Sequence, residues 1–302
     1  VPLPAHIKTA ADLVTTAADT KGGFLLQAGA KTEKAERYVE AGERLVRELS
    51  KYRNPDELFK EAKDTVIDEV VAASGYSDKA AKYFSKEELR KAAQANLKKT
   101  YTNDPDRWKQ RVASRYLLTR GDSLGGEMRN WVGAQAGKEL AEHLSAALKR
   151  RGVKAEFASD PKSGKVRSIK WKNRRLVVDR KSPLVGKNVD VILLDDSKPD
   201  GSGDEERERV LLKNPDKYIA CGELKGGIDK AGADEHYKTA NAATGRIRKA
   251  VPKVKTFFVG RAIEAAMAEE IYAELKSGDL DNAANLTKEA QIESLAEWLV
   301  QL

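Results

Sequence analysis

From Phe24 to Ser50 the apolar residues Leu25, Leu26, Ala35, Tyr38, Val39, Leu45, Val46 and Leu49 recur at helical spacings, which gathers them on one face of a helix. Pro2 to Asp19 reads as a short helical approach to it. Asn54-Pro55-Asp56-Glu57 predicts a capped helix start, with proline placed where its missing N–H costs nothing. Leu58, Ala62, Val66, Ile67 and Val70 form the apolar face that follows, and Ser74-Gly75 stops it. Ser77 and Asp78 can cap a short helix, and Ser85-Lys86-Glu87-Glu88 has the form of a capping box. After the turn Thr102 to Pro105, the pattern predicts a helix over Trp108–Thr119 that ends at Gly121, and a second from Glu127 to Arg151.

Beyond Gly152 the period changes. Val153 to Phe157, Val166 to Trp171 and Leu176 to Asp179 alternate as strands around the turns Lys162-Ser163-Gly164 and Lys172-Asn173-Arg174. Val189 to Leu194 is a further strand. Asp196 to Pro215, with its GSGDEERER run, reads as a mobile acidic loop without assigned chemistry. Tyr218-Ile219-Ala220-Cys221-Gly222 opens a buried strand. Helix Ala233–Lys249, strand Lys255–Gly260, helix Arg261–Lys276 and a last amphipathic helix from Leu286 to Leu302 complete the chain. The fold class expected is α/β, a sandwich around a mixed central sheet, preceded by an all-helical region.

Glu223 and Lys225 lie two apart on the strand from Tyr218 and therefore leave it on one face. Charges on so apolar a strand must be paired or bind an ion. Asp190 stands at the start of the preceding strand. An acid on one strand with Glu-x-Lys on the next is the layout of a metal-dependent nuclease. Carboxylates hold a hard divalent cation through oxygen, and lysine presents a point charge to a phosphate or a water. Glu-x-Lys alone recurs by chance in a chain with 34% charged residues, so a solvated strand face is the alternative. Gly226-Gly227 next to it lets a backbone or a phosphate come close.

The formal net charge of +8 favours a polyanionic partner. Arg167, Lys170, Lys172, Arg174, Arg175, Arg180 and Lys181 make the strand hairpin the most basic stretch. It suits a phosphate-facing ribbon or a solvated edge strand guarded by lysines. Glu139 and His143 share a helix face, as a metal pair or as solvated residues. The single cysteine, Cys221, excludes an internal disulfide and fits a reducing cytoplasm. No apolar run is long enough to span a bilayer, and the opening VPLPAHIKTA lacks the apolar core of a signal peptide.

Two runs resemble type II restriction endonucleases of the AvaI and BsoBI kind. One is Gly222-Glu223-Leu224-Lys225-Gly226-Gly227-Ile228-Asp229 with Ala231-Gly232-Ala233-Asp234-Glu235-His236. The other is Arg115-Tyr116-Leu117-Leu118-Thr119-Arg120-Gly121-Asp122-Ser123-Leu124-Gly125-Gly126 with Met128-Arg129-Asn130. The resemblance implies a PD-(D/E)xK restriction-endonuclease-like core, Mg2+ dependence, and a homodimer around double-stranded DNA with no membrane partner. It implies that Asp190 and Glu223 hold the metal with the Leu224 carbonyl, and that Lys225 acts on the attacking water. Asp195 and Asp196 are alternatives to Asp190, which precedes the apolar run Val191–Leu194 as the family's acid does. His236 is carried over as a residue near the water or a phosphate, or as a packed helix-face histidine. Asp229 is carried over as a base-reading residue, or as a turn former and cap. Arg167, Lys172 and Arg174 are the candidates for phosphate contact. The organisation expected is residues 1–120 as a helical scaffold or DNA-clasping arm and 121–302 as the catalytic domain. A site-specific deoxyribonuclease of restriction-modification is the function expected, with a repair or recombination nuclease of the same fold, or a DNA-binding protein without catalysis, as alternatives.

Overall fold

A computed structural model describes residues 3–197 and 203–302, without the side chains of Asp234 and His236. The chain forms two compact units, residues 25–130 and residues 1–24 with 131–302, whose boundaries fall inside two long helices.

The unit of residues 25–130 is helical. It comprises the larger part of α1 (Ala17–Leu49), then α2 (Pro55–Glu61), α3 (Asp64–Ala73), α4 (Lys86–Asn103) and the first half of α5 (Trp108–Arg150). Leu45, Leu49, Leu58, Ile67, Val70, Leu97, Trp108 and Tyr116 are buried together as its core. The Asn54 side chain accepts from the Glu57 N–H at 3.0 Å, and Ser85 and Glu88 cap α4 reciprocally, as their sequences predict. The start of α1 is earlier than the apolar pattern suggests. Thr16 and Asp19 cap each other, with Thr16 Oγ1 donating to the Asp19 carboxylate at 2.6 Å. The expected break at Gly121 is absent, and α5 runs unbroken through Gly121, Gly125 and Gly126. Glycine costs a helix only about 1 kcal/mol per residue, and burial of Tyr116 and Leu124 on either side of Gly121 opposes that cost.

The other unit is built on a seven-stranded mixed sheet in the order β1 (Glu156–Ser159), β2 (Val166–Trp171), β3 (Arg174–Ser182), β4 (Lys187–Asp195), β5 (Tyr218–Lys225), β6 (Lys255–Gly260), β7 (Asn282–Asn285). Pairing is antiparallel from β1 to β5 and parallel from β5 to β7. Parallel neighbours need a crossover, supplied by α7 (Ala233–Ala250) and α8 (Ala265–Ser277). One face of the sheet packs on Ala136, Leu140, Leu144 and Leu148 of α5 and on Ile292, Leu295 and Leu299 of α9 (Glu289–Gln301). The opposite face packs on α7, α8 and α6 (Asp204–Lys213).

Three further expectations are corrected. The first strand is Glu156–Ser159 rather than Val153–Phe157, because Val153 and Ala155 pack against the core ahead of the strand. The acidic stretch contains α6, which Leu211 and Leu212 dock onto the sheet. Its residues 198–202 lie outside the described part of the chain. Strand β7, Asn-Ala-Ala-Asn, lies between two helices where the sequence pattern predicts no strand. Its residues have little strand preference, and burial of all four beside β6 decides their conformation.

Within β5, Gly222 lies against the Phe257 ring of β6, where an added Cβ would overlap the ring atoms. Gly222→Ala is expected to lower the unfolding free energy by about 1–3 kcal/mol through overpacking. Gly227→Ala, where a Cβ meets no atom within 4 Å, should change it by less than about 0.5 kcal/mol. Denaturant unfolding of both variants checks the pair.

Candidate active site

The strands β4 and β5 pair as far as Val191 and Gly222, and their pairing ends there. On its other side, β3 keeps its register past Asp190, with Val178 paired to Val191 and Arg180 to Val189, but no pair forms between them, where Asp179 adopts φ 50°. Asp190 therefore sits where the strands part. Its Oδ2 accepts from the Leu224 N–H at 2.9 Å, so the side chain supplies the acceptor beyond the end of the ladder. The same oxygen accepts from Lys225 Nζ at 2.9 Å. Lys225 Nζ also donates to Glu223 Oε2 at 2.8 Å. The strand alternation that put Glu223 and Lys225 on one face thus closes into a three-residue constellation with Asp190.

Burial differs sharply within it. The Glu223 side chain is 7% exposed, whereas those of Lys225 and Asp190 are about one-third exposed. Burial, and then the charge of Asp190, push the Glu223 carboxyl up to about 7. Burial pulls the Lys225 ammonium down, but the two carboxylates outweigh it and hold the group above its ordinary value. The cluster thus carries more negative charge than Lys225 satisfies. The carboxylate oxygens of Asp190 and Glu223 form a hard donor set, which fits a divalent cation better than a soft metal.

The other candidate acids are engaged elsewhere. Asp195 accepts from Lys217 Nζ at 2.9 Å, and Asp196 is shared by Arg175 at 3.0 Å and Arg207 at 2.8 Å. The Cys221 thiol is fully buried and its pKa is raised by that burial, so no reactive thiolate forms there. Glu139 makes an ion pair with Arg261 rather than acting with His143. Arg261 also donates its backbone N–H to the Lys225 carbonyl at 2.9 Å, which brings this pair to the end of β5. Nothing in the spacing of Glu139 and Arg261, far apart in the chain, signals that contact.

A family described as Restriction endonuclease BsobI matches residues 3–302. The chain belongs to this restriction endonuclease family. The type II restriction enzyme AvaI of a Nostoc species is 37% identical over 325 aligned positions covering all of both chains, as is the AvaI enzyme of Anabaena variabilis. The type II restriction enzyme BsoBI of Geobacillus stearothermophilus is 34% identical over 326 positions, covering all of this chain and 98% of that one.

In this family member Asp229 lies in the loop after β5, exposed, with Oδ1 accepting from the Ala231 N–H at 2.9 Å. His236 falls on α7, and its side chain is outside the described residues. On the basic hairpin, Arg167 is half-buried on β2 and Lys172 is exposed in the turn at φ 46°. Arg174 donates to the Leu302 carbonyl at 2.8 Å and faces Asp195 at 3.7 Å. Arg175 is buried and bonded to Asp196 and Asp204, and Arg180 to Glu208. Much of the basic hairpin is therefore matched by the acidic stretch, which a local reading of either segment does not reveal. Among the described residues no helix is long and apolar enough to cross a membrane.

The raised Glu223 carboxyl has a signed consequence. Its folded pKa lies above the unfolded carboxyl range, so the native state holds the extra proton between that range and about 7. The stability it contributes is full at acid pH and falls as pH rises through that window. Glu223→Gln keeps a neutral side chain there. In EDTA at about pH 8 the variant should be more stable than the parent by about 1–3 kcal/mol, with the gain shrinking toward about pH 5. Thermal unfolding at both pH values measures this, and a variant less stable at the higher pH contradicts it.

Proposed function

We propose that this restriction endonuclease is a Mg2+-dependent type II enzyme that hydrolyses phosphodiester bonds of double-stranded DNA at a specific sequence. The observation that carries the reading is the Lys225 ammonium bonded to both Asp190 and Glu223 at the end of a buried strand. The α/β sheet with β4 and β5 as adjacent interior strands is read as a PD-(D/E)xK core. Residues 121–302 carry catalysis, and residues 1–120 a helical scaffold or DNA-clasping arm. The enzyme acts in the cytoplasm as a homodimer, because cutting both strands of a two-fold site calls for two related centres.

Phosphodiester hydrolysis builds negative charge on the phosphoryl oxygens and the leaving oxygen. Asp190, Glu223 and the Leu224 carbonyl would hold Mg2+, which when bound lowers the pKa of a water and neutralises charge on the phosphate. Lys225 orients the attacking water through its ammonium and keeps the two carboxylates in place until DNA arrives. Glu223 is buried on an apolar strand, so its direction is fixed by packing, and the more exposed Asp190 faces the incoming phosphate. The engagement of Asp195 and Asp196 by Lys217, Arg175 and Arg207 supports Asp190 as the metal acid. His236 is assigned to the water or the scissile phosphate on its motif. Arg167 and Lys172 contact the DNA backbone, joined by Arg174 if its hold on the chain end is released. Asp229 reads a base, since an aspartate accepts from a cytosine amino group in the major groove.

Plasmid DNA incubated with Mg2+ should yield discrete fragments and stay intact in EDTA. Random degradation would favour a repair or recombination nuclease instead, and binding without cleavage a non-catalytic protein. Lys225→Ala should lower the cleavage rate at least about a thousandfold while DNA affinity stays within about tenfold, since the lost charge acts on the transition state. Asp190→Asn should behave alike, and Asp196→Asn should instead lower stability. Cleavage by Lys225→Ala at the parental rate would remove the site assignment. Sequencing the ends of digested genomic DNA gives the recognition site and the cut position together.

A further inference from the structure

The loop that leaves β5 at Gly226 and enters α7 at Gly232 carries Asp229, and it is held from both sides. A Cβ built at Gly226 would stand 2.6 Å from the Val132 carbonyl oxygen and 2.9 Å from Ala136 Cβ, so bare backbone lies on α5 there. Ile228 is fully buried. Its side chain rests on α1 at Gly23, where an added Cβ would stand 2.9 Å from Ile228 Cβ and closer still to Cγ1. Lys230 Nζ donates to the Thr15 carbonyl at 3.0 Å. Between these two anchors, Ile228 and Lys230, stands Asp229, exposed and turned by its own bond to the Ala231 N–H.

The platform under this loop is itself fixed. Thr15 is buried, its N–H donates to the Ile263 carbonyl at 2.9 Å and its hydroxyl to the Arg261 carbonyl at 2.7 Å. The Ile263 N–H and the Asn285 side-chain amide return bonds to that hydroxyl at 2.9 and 2.8 Å. Thr15 is thus tied to the turn after β6, whose Arg261 N–H bonds the carbonyl of Lys225. The neighbouring Gly22 has open space around it, so of the two adjacent glycines only Gly23 is required for the contact. Glycine is the poorest helix former after proline, and at Gly23 the close approach of Ile228 accounts for it.

We propose that the segment Thr15–Gly23 is a specificity-determining element, positioning Asp229 through the Gly23–Ile228 contact and the Lys230–Thr15 bond. Neither residue pair touches DNA in this reading; they fix where the aspartate stands. The inference rests on the base-reading role of Asp229. Displacing a recognition group by an ångström is enough to lose most of its directional hydrogen bonding, so loosening either anchor should act on sequence discrimination first.

Cleavage rates by the full-length protein with Mg2+, on duplexes carrying the cognate site and each single-base variant of it, test this. Asp229→Ala identifies the base position concerned. Gly23→Ala should lower discrimination at that same position by about tenfold or more, and Lys230→Met by several-fold. Gly22→Ala should keep the parental ratios. Ile228→Ala, which removes Cγ1 and Cδ1, should restore part of the discrimination lost in Gly23→Ala. Should Gly23→Ala fail to fold, Lys230→Met decides alone. Equal loss of rate on every duplex in Gly23→Ala and Lys230→Met, with Asp229→Ala still relaxed at one base, overturns the positioning role. Unchanged discrimination in Asp229→Ala overturns the base-reading role, and the inference with it.

Discussion

One ammonium between two carboxylates, at the point where a buried strand parts from its neighbour, sets the terms for the rest of this structure. Asp190 and Glu223 could not both carry charge so close together without a cation between them, because burial and like charge each raise the cost. Lys225 meets both at hydrogen-bonding distance. Glu223 nevertheless stays well above the ordinary carboxyl range, pushed up to about 7. The constellation is held in a state that favours a further cation, and a fold that only needed stability would place apolar residues there instead.

The surrounding architecture accommodates that constraint through backbone rather than through large side chains. Gly222 lets the Phe257 ring approach β5 closely, and Gly226 lets the strand end lie on α5. The N–H of Leu224, left beyond the paired part of the ladder, is satisfied by the Asp190 carboxylate. Each of these places a polar group or bare backbone beside a well-packed feature. The apolar body of β5, with Ala220 and Cys221 buried, resists movement while its last residues, the buried Glu223 and the half-buried Lys225, carry the charges.

Charge is distributed on the same principle. The basic hairpin and the acidic stretch after β4 are opposites in sequence and partners in space: Arg175 bonds Asp196 and Asp204, and Arg180 bonds Glu208. These pairs dock α6 against the sheet alongside Leu211 and Leu212. The net positive charge seen by a polyanion therefore comes from fewer side chains than the hairpin's composition suggests. Among the described residues neither Arg167 nor Lys172 forms a salt bridge, though the charge of Arg167 acts on the Asp160 carboxylate.

Sequence alone determined the features that depend on short-range periodicity and spacing. Alternation put Glu223 and Lys225 on one face, the caps at Asn54 and Ser85 announced their helices, and the family-like runs identified the chemistry. Strands β2 and β6 begin and end where the sequence pattern predicts them. Features set by long-range contact were not legible. Helix α5 passes through Gly121 because packing on both sides outweighs a small local penalty, and β7 is a strand only because β6 and the core enclose it. Only the tertiary structure brought Asp190 to Lys225 and gave Asp195 to Lys217 and Asp196 to Arg175 and Arg207. The meeting of Gly23 with Ile228, and of Thr15 with Lys230, joins residues some two hundred positions apart. Local preference is a weak energy summed over neighbours in the chain, while these contacts arise only once the sheet and its helices bring distant segments within a few ångströms.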